Sequence, residues 1–112
     1  DNIFLMSESK KILDDIFNLF DTKKTGVLAG KELDCLIAYQ FGLKDPSKVT
    51  KLERELISNG YGFEEPDGLP KELFIEVSSC KFTYKMLVND YDSAKKFCDA
   101  IYKNDKVEKK DT

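Results

Sequence analysis

Apolar residues recur at intervals of three and four along residues 9–20, with charged residues between them. This spacing places them on one helix face. The stripe consists of Ile12, Leu13, Ile16, Phe17, Leu19 and Phe20. Ser7 or Ser9 can cap the start of such a helix, because a serine side chain accepts from the free amides of the first turn. The pattern therefore predicts a first helix that begins at one of these serines.

A second helix is predicted after a short polar interruption at residues 21–26. Its apolar positions follow the same spacing: Leu33, Leu36, Ile37 and Phe41. Gly42 ends the pattern, because glycine readily takes the left-handed conformation that closes a helix. Residues 9–42 thus predict a helix, a short loop and a second helix.

Two further helices are predicted in the middle of the chain. The Asp45-Pro46 pair is a helix start, because proline is tolerated in the first turn and aspartate caps it. One face then carries Val49, Leu52, Leu56 and Ile57. Residues 60–68 contain three glycines and one proline and should be irregular, after which Pro70 opens a fourth helix.

The C-terminal part carries one more helical stripe, which runs from Leu73 to Ile101. Turn-forming residues at positions 89–93 favour a break there, with a last helix over residues 93–103. Residues 105–112 contain Val107 as their one apolar residue and are expected to fray.

Composition narrows the class of protein. The 112 residues suffice for one domain, and 41% hydrophobic residues indicate a real core. A net charge of −3, with both signs interspersed, argues against a nucleic-acid partner. No apolar run approaches the ~20 residues of a membrane span. We expect a cytoplasmic protein with neither nucleic acid nor a membrane span among its partners.

The chemistry-bearing residues argue against an enzyme. Cys35, Cys80 and Cys98 are odd in number and lie in apolar surroundings, as buried thiols do in a reducing compartment. The sequence contains no histidine, so Cys–His and Ser–His nucleophilic pairs are excluded. Its adjacent carboxylates are typical of a solvated surface.

Residues 21–32 resemble the twelve-residue EF-hand calcium loop. Asp21 stands on its first position, Gly26 on the sixth, where the turn needs a positive φ, Leu28 on the apolar eighth and Glu32 on the bidentate twelfth. The resemblance implies an all-α fold with an EF-hand helix-loop-helix pair over residues 7–81. One or two additional helices would follow in a C-terminal extension, residues 82–104.

The pair would place a second, degenerate loop at residues 60–71. Leu69 is positioned to pair with Leu28 through a two-residue β-bridge. In no register do these residues supply the six to eight oxygens that calcium requires, since Pro66 or Phe63 falls on a ligand position. The second loop is therefore expected to be structural.

The first loop also departs from the family pattern, because Lys23 stands where an oxygen ligand should. The metal ligands that remain are Asp21, Thr25, the carbonyl of Val27 and Glu32. We expect a weak or silent site and no required cofactor, with Lys23 blocking the loop. Its ammonium could also lie between the two carboxylates in place of the metal. The alternative is a calcium sensor or buffer with a weak site.

Paired EF-hands that have lost their metal sites resemble myosin light chains and other calmodulin-like subunits. The resemblance implies a binding module of light-chain or adaptor type. Its partner would be an amphipathic helix of another protein, with a myosin-like or cytoskeletal heavy chain as one candidate. The residues predicted to line the partner groove are Phe17, Phe20, Leu36, Ile37, Leu56, Phe74 and Val77.

Three alternatives remain open from the sequence. The groove residues could simply form the core. The apolar face of the last helix, with Phe97, Ile101 and Tyr102, could fold into the groove as an intramolecular ligand. The chain could also be one domain of a longer cytoskeletal or motor-associated protein.

Overall fold

A computed structural model describes the backbone of residues 2–111 and the side chains of residues 7–103. Within that range the chain forms five α-helices and one small antiparallel sheet, which confirms the all-α fold class. The elements are α1 (Asn2–Phe20), β1 (Val27–Leu28), α2 (Gly30–Phe41), α3 (Lys51–Tyr61), β2 (Leu69–Pro70), α4 (Lys71–Lys81) and α5 (Tyr84–Asp111).

The first two helices end where the sequence predicts. The last residue of α1 is Phe20, and α2 stops at Gly42, whose φ of 72° is left-handed. The amide of Leu43 then donates to the carbonyl of Ala38 at 2.8 Å, which closes the helix. The predicted start of α1 at Ser7 or Ser9 is wrong, because the helix already includes Asn2.

The third helix begins later than predicted. The carboxylate of Asp45 does cap a turn, accepting from the amide of Ser47 at 2.9 Å, but that turn is a short 3₁₀ segment, Pro46–Lys48. The α-helix starts after Thr50, whose side chain accepts from the amide of Glu53 while the Glu53 carboxylate accepts from the amide of Thr50. This reciprocal cap is the stronger start signal.

The two strands join the two helix-loop-helix units. Leu28 pairs with Leu69 and Val27 with Pro70 in an antiparallel register, so the predicted Leu28–Leu69 pairing is confirmed. The amide of Lys71 extends the ladder by donating to the carbonyl of Gly26 at 3.0 Å. Both paired leucines are fully buried, and the β-bridge is therefore part of the hydrophobic core.

The predicted break at residues 89–93 is wrong, because α5 is continuous through that segment. The chain bends instead at residues 82–83, between α4 and α5. The turn-forming side chains Asn89, Asp92 and Ser93 are all exposed and do not interrupt the buried stripe on the opposite face. The backbone of residues 105–111 also belongs to α5, and the expected fraying of residues 105–112 stays a prediction.

Helix α5 packs against α1 and α2. The hydroxyl of Tyr102 donates to the carbonyl of Phe20, the last residue of α1, at 3.1 Å. The ring of Phe97 lies 5.6 Å from that of Tyr39, centroid to centroid. Ala94 and Cys98 are buried on the inner face of α5. The C-terminal helix is therefore part of the core.

The outer surface combines charged and isolated apolar residues. Leu52 and Leu56, which the sequence places on one apolar face of the third helix, are exposed on α3, because Ser58 and Tyr61 occupy its buried face. Arg54 forms an ion pair with Asp34 at 3.0 Å, which links α3 to α2. Along the described part of the chain, none of the helices is both long and apolar enough to cross a membrane.

Candidate functional site

The loop between α1 and β1 is organised around the carboxylate of Asp21, which is only 5% exposed. One of its oxygens accepts from the amide of Thr25 at 3.1 Å and the other from the amide of Gly26 at 2.9 Å. Gly26 has a φ of 81°, so the positive φ predicted at this position is confirmed. The loop backbone therefore wraps around the first carboxylate of the candidate metal site.

The second carboxylate closes the loop from the other side. Glu32, in the first turn of α2, is 7% exposed. Its Oε2 accepts from the hydroxyl of Thr22 at 2.7 Å and from the amide of Lys23 at 3.0 Å. Charge-assisted hydrogen bonds of this kind are stronger than neutral ones. They tie the start of α2 to the loop through groups that the chain itself supplies.

The suggested placement of the Lys23 ammonium between the carboxylates is wrong. The Lys23 side chain is exposed, and the ion pairs among the described side chains involve Arg54, Lys71 and Lys95 instead. Lys23 does contact Glu32, but through its backbone amide and not through its ammonium group. Sequence patterns do not predict contacts of backbone amides, because nearly every residue has one. That Lys23 weakens metal binding by charge stays a prediction.

The residues of this loop do not supply a full calcium shell. Asp21, Thr25, the Val27 carbonyl and Glu32 provide about five oxygens, against the roughly six to eight that calcium takes. Two of these groups are also bonded to each other, since the Thr25 hydroxyl donates to the Val27 carbonyl at 2.8 Å. Among the described residues, no group of three or more metal-ligating side chains is assembled anywhere.

Calcium titration of the Lys23→Asp variant beside the natural sequence tests this arrangement. By isothermal titration calorimetry the natural sequence should bind weaker than about 1 mM, and the variant should bind more tightly because it replaces a cation with an oxygen ligand. Equal and tight binding by the two proteins would contradict our view of the loop.

The second loop, predicted at residues 60–71, has a structural role in the described fold. A 3₁₀ turn, Glu65–Asp67, leads into β2, and the Glu64 carbonyl accepts from the amides of Asp67 and Gly68. Its carboxylates are exposed, with Glu65 lying 3.7 Å from the Arg54 guanidinium. This loop places Leu69 opposite Leu28.

The predicted partner groove is largely the interior of the molecule. Five of its seven residues are buried, namely Phe17, Phe20, Leu36, Ile37 and Phe74. Val77 is half-buried, and Leu56 is exposed on α3, away from the others. The core interpretation is right for the five buried residues, because they pack against one another and beneath α5. The apolar face of the last helix folds onto them, an arrangement that the sequence leaves open, with Phe97 and Tyr102 in contact with α2 and α1.

An apolar cleft of about 480 Å³ opens beside this core, where α1, α2, α4 and the start of α5 meet. Its apolar lining comes from all four helices and the α4–α5 connection: Leu13, Ile16, Leu36, Phe74, Phe82, Met86 and Leu87. Met86 is 51% exposed and Phe82 38% exposed. Exposed apolar side chains beside a concave apolar surface make this cleft a candidate interaction site.

One side of the cleft is polar. The Tyr39 hydroxyl donates to the carboxylate of Asp90 and lies 3.2 Å from the Asp90 carbonyl. Burial, reinforced by this hydrogen bond, raises the pKa of Tyr39, so its hydroxyl keeps its proton. The side-chain amide of Gln40 donates to the Tyr61 hydroxyl at 3.0 Å. The Tyr61 hydroxyl also lies 3.3 Å from the Ser78 hydroxyl. The polar groups are held in place by these bonds.

The cysteines divide between core and surface. Cys35 and Cys98 are buried as expected, and burial raises the pKa of the Cys98 thiol to about 12, so it stays protonated. The expectation is wrong for Cys80, which is exposed on α4 because Ser78 takes the buried position in that turn.

Comparison of the chain with protein-family models, with curated proteins and with solved structures finds no match.

Proposed function

We propose that this chain is a non-catalytic protein-binding module of the EF-hand type, which takes an amphipathic helix of a partner protein without calcium control. The two helix-loop-helix units, the positive φ at Gly26 and the Leu28–Leu69 bridge support the EF-hand part of the proposal. A subunit or adaptor role on a myosin-like or cytoskeletal heavy chain is the class of function that such a module would serve.

The apolar cleft is the observation that carries the binding proposal. A partner helix docks in a groove through apolar side chains spaced three and four residues apart. The cleft volume of about 480 Å³ suits one such bulky side chain, and the exposed Met86 and Phe82 can close over it. Methionine adapts to many shapes, which suits a rim that rearranges around a ligand.

The hydrogen bonds of the first loop support independence from calcium. A metal that switches a protein must bind its two conformations with different affinities. Here Asp21 and Glu32 already hold the loop and the start of α2 by accepting four hydrogen bonds from the chain itself. Calcium would have to displace or share these hydrogen bonds. Because the loop is already closed, calcium binding would cause little further conformational change.

A fluorescence titration tests the binding proposal. The chain contains no tryptophan, so a basic amphipathic peptide of about 18 residues, about 27 Å long as a helix and carrying one tryptophan, reports its own burial. We expect Met86→Glu to weaken peptide binding at least about tenfold, because a charge would replace apolar contact area at the rim.

Leu56→Glu is the matched control for this titration. Leu56 is 53% exposed, close to the 51% of Met86, but it lies on α3 and does not line the cleft. The control should keep the affinity of the natural sequence. A loss of binding in Leu56→Glu but not in Met86→Glu would move the site to α3 and contradict the proposal.

A further inference from the structure

One wall of the apolar cleft carries a carboxylate without a cation beside it. Asp90 lines the cleft and is half-buried. Each ion pair among the described side chains uses a different carboxylate: those of Asp14, Asp34, Glu65 and Asp99. A carboxylate that loses water on binding needs a compensating positive charge or hydrogen-bond donor. A ligand that enters the cleft therefore has to satisfy Asp90.

The position of this carboxylate is fixed by the fold. The Tyr39 hydroxyl of α2 donates to Oδ1 of Asp90. No donor among the described residues reaches Oδ2, which leaves that oxygen for an incoming group. A carboxylate held in this way loses little freedom when it binds a cation, and preorganisation of this kind favours affinity.

The spacing of the lining residues on α5 defines the complementary helix. Met86 and Asp90 are four residues apart, so their side chains lie on one face of α5, roughly 6 Å apart. A partner helix that lies along this face presents residues with the same spacing. An apolar residue would contact Met86 and the cleft, and a residue three or four positions away would reach Asp90.

We infer that the cleft selects a partner helix with a bulky apolar residue and, one helical turn away, a lysine or arginine that pairs with Asp90. This inference rests on the proposed helix-binding function and adds the charge requirement to it. The net charge of −3 favours the same partner, because it attracts a basic segment from a distance. A glutamate at that position would be excluded, since like charges repel in the partly buried site.

A double-mutant cycle on the full chain tests the pairing. Two tryptophan-labelled peptides differ only in a lysine or a glutamine one turn from their apolar anchor. The natural sequence should bind the lysine peptide about five- to tenfold more tightly, as expected for a partly exposed charge pair. Asp90→Asn keeps an oxygen that accepts from Tyr39 but lacks the charge, so it should bind both peptides equally.

Asp92→Asn is the matched control, because it makes the same change in net charge on the same helix. Asp92 is exposed and does not line the cleft, and this variant should keep the preference for lysine. Thermal unfolding of the Asp90→Asn variant, followed by circular dichroism, should match that of the natural sequence.

The outcomes separate the inference from the proposed function. Equal binding of both peptides by the natural sequence would overturn the charge requirement and leave helix binding intact. Absence of binding by either peptide would overturn both. Sedimentation that shows a dimer, with peptide binding only to the monomer, would assign the cleft to a second copy of this chain and would also overturn the inference.

Discussion

Replacement of Gly68 by alanine should lower the free energy of unfolding by about 3 kcal/mol. Gly68 has φ 81° and ψ 179°, a conformation that residues with a Cβ essentially never adopt. An added Cβ would also lie 2.7 Å from the carbonyl oxygen of Leu28 and 2.7 Å from a methyl carbon of Val27. The change would push β1 away from β2. Urea unfolding followed by far-ultraviolet circular dichroism measures the loss.

The control for this substitution is Gly62→Ala. Gly62 also has a positive φ, 83°, but it lies in the ordinary left-handed region and an added Cβ would meet nothing within 4 Å. This variant should lower the free energy of unfolding by about 1 kcal/mol, the cost of a left-handed backbone conformation for alanine. Equal losses in the two variants would show that the loop and β1 do not approach as closely as described.

Truncation after Asn89 should abolish cooperative folding or remove more than about 4 kcal/mol of stability. The deleted part of α5 contains Phe97, which packs on Tyr39, and Tyr102, which donates to the carbonyl of Phe20. Its buried Ala94 and Cys98 complete the same face. Thermal unfolding, with the dispersion of the amide resonances as a second probe, measures the effect.

A truncation after Lys103 is the matched control, because it shortens the same helix but keeps each of these contacts. Its unfolding midpoint should stay close to that of the full chain. The contrary outcome is a chain that ends at Asn89, unfolds cooperatively and binds the peptide more tightly than the full chain does. That result would make α5 a detachable inhibitor of a larger groove.

Local signals account for the features that the sequence predicts well. The helix end at Gly42 and the turn at Gly26 depend on glycine at positive φ, and both glycines stand in the sequence where a turn is needed. The Leu28–Leu69 pairing is different, because it joins two distant loops and is expected from the resemblance to paired EF-hand loops. The two glycine signals lie at the features that they predict.

The predictions about which faces are buried fail because of distant neighbours. The pattern of α3 places Leu52 and Leu56 on one apolar face, but both are exposed. The helix contacts α2 through Arg54 and Tyr61 instead. The predicted groove is filled because α5 continues past residues 89–93 and covers it. The apolar cleft includes Met86 and Asp90 of α5, which lie beside α1 and α2 only in the folded chain. Their position in the sequence does not show this.

The central claim, calcium-independent binding of an amphipathic helix at the cleft, is tested most directly by nuclear magnetic resonance. The tryptophan-labelled lysine peptide is titrated into the full isotope-labelled chain, once with calcium and once with a chelator. We predict the same affinity in both conditions, with the largest shift changes at Leu13, Phe82 and Met86. Binding that requires calcium, or shift changes confined to Leu52 and Leu56, would contradict the account.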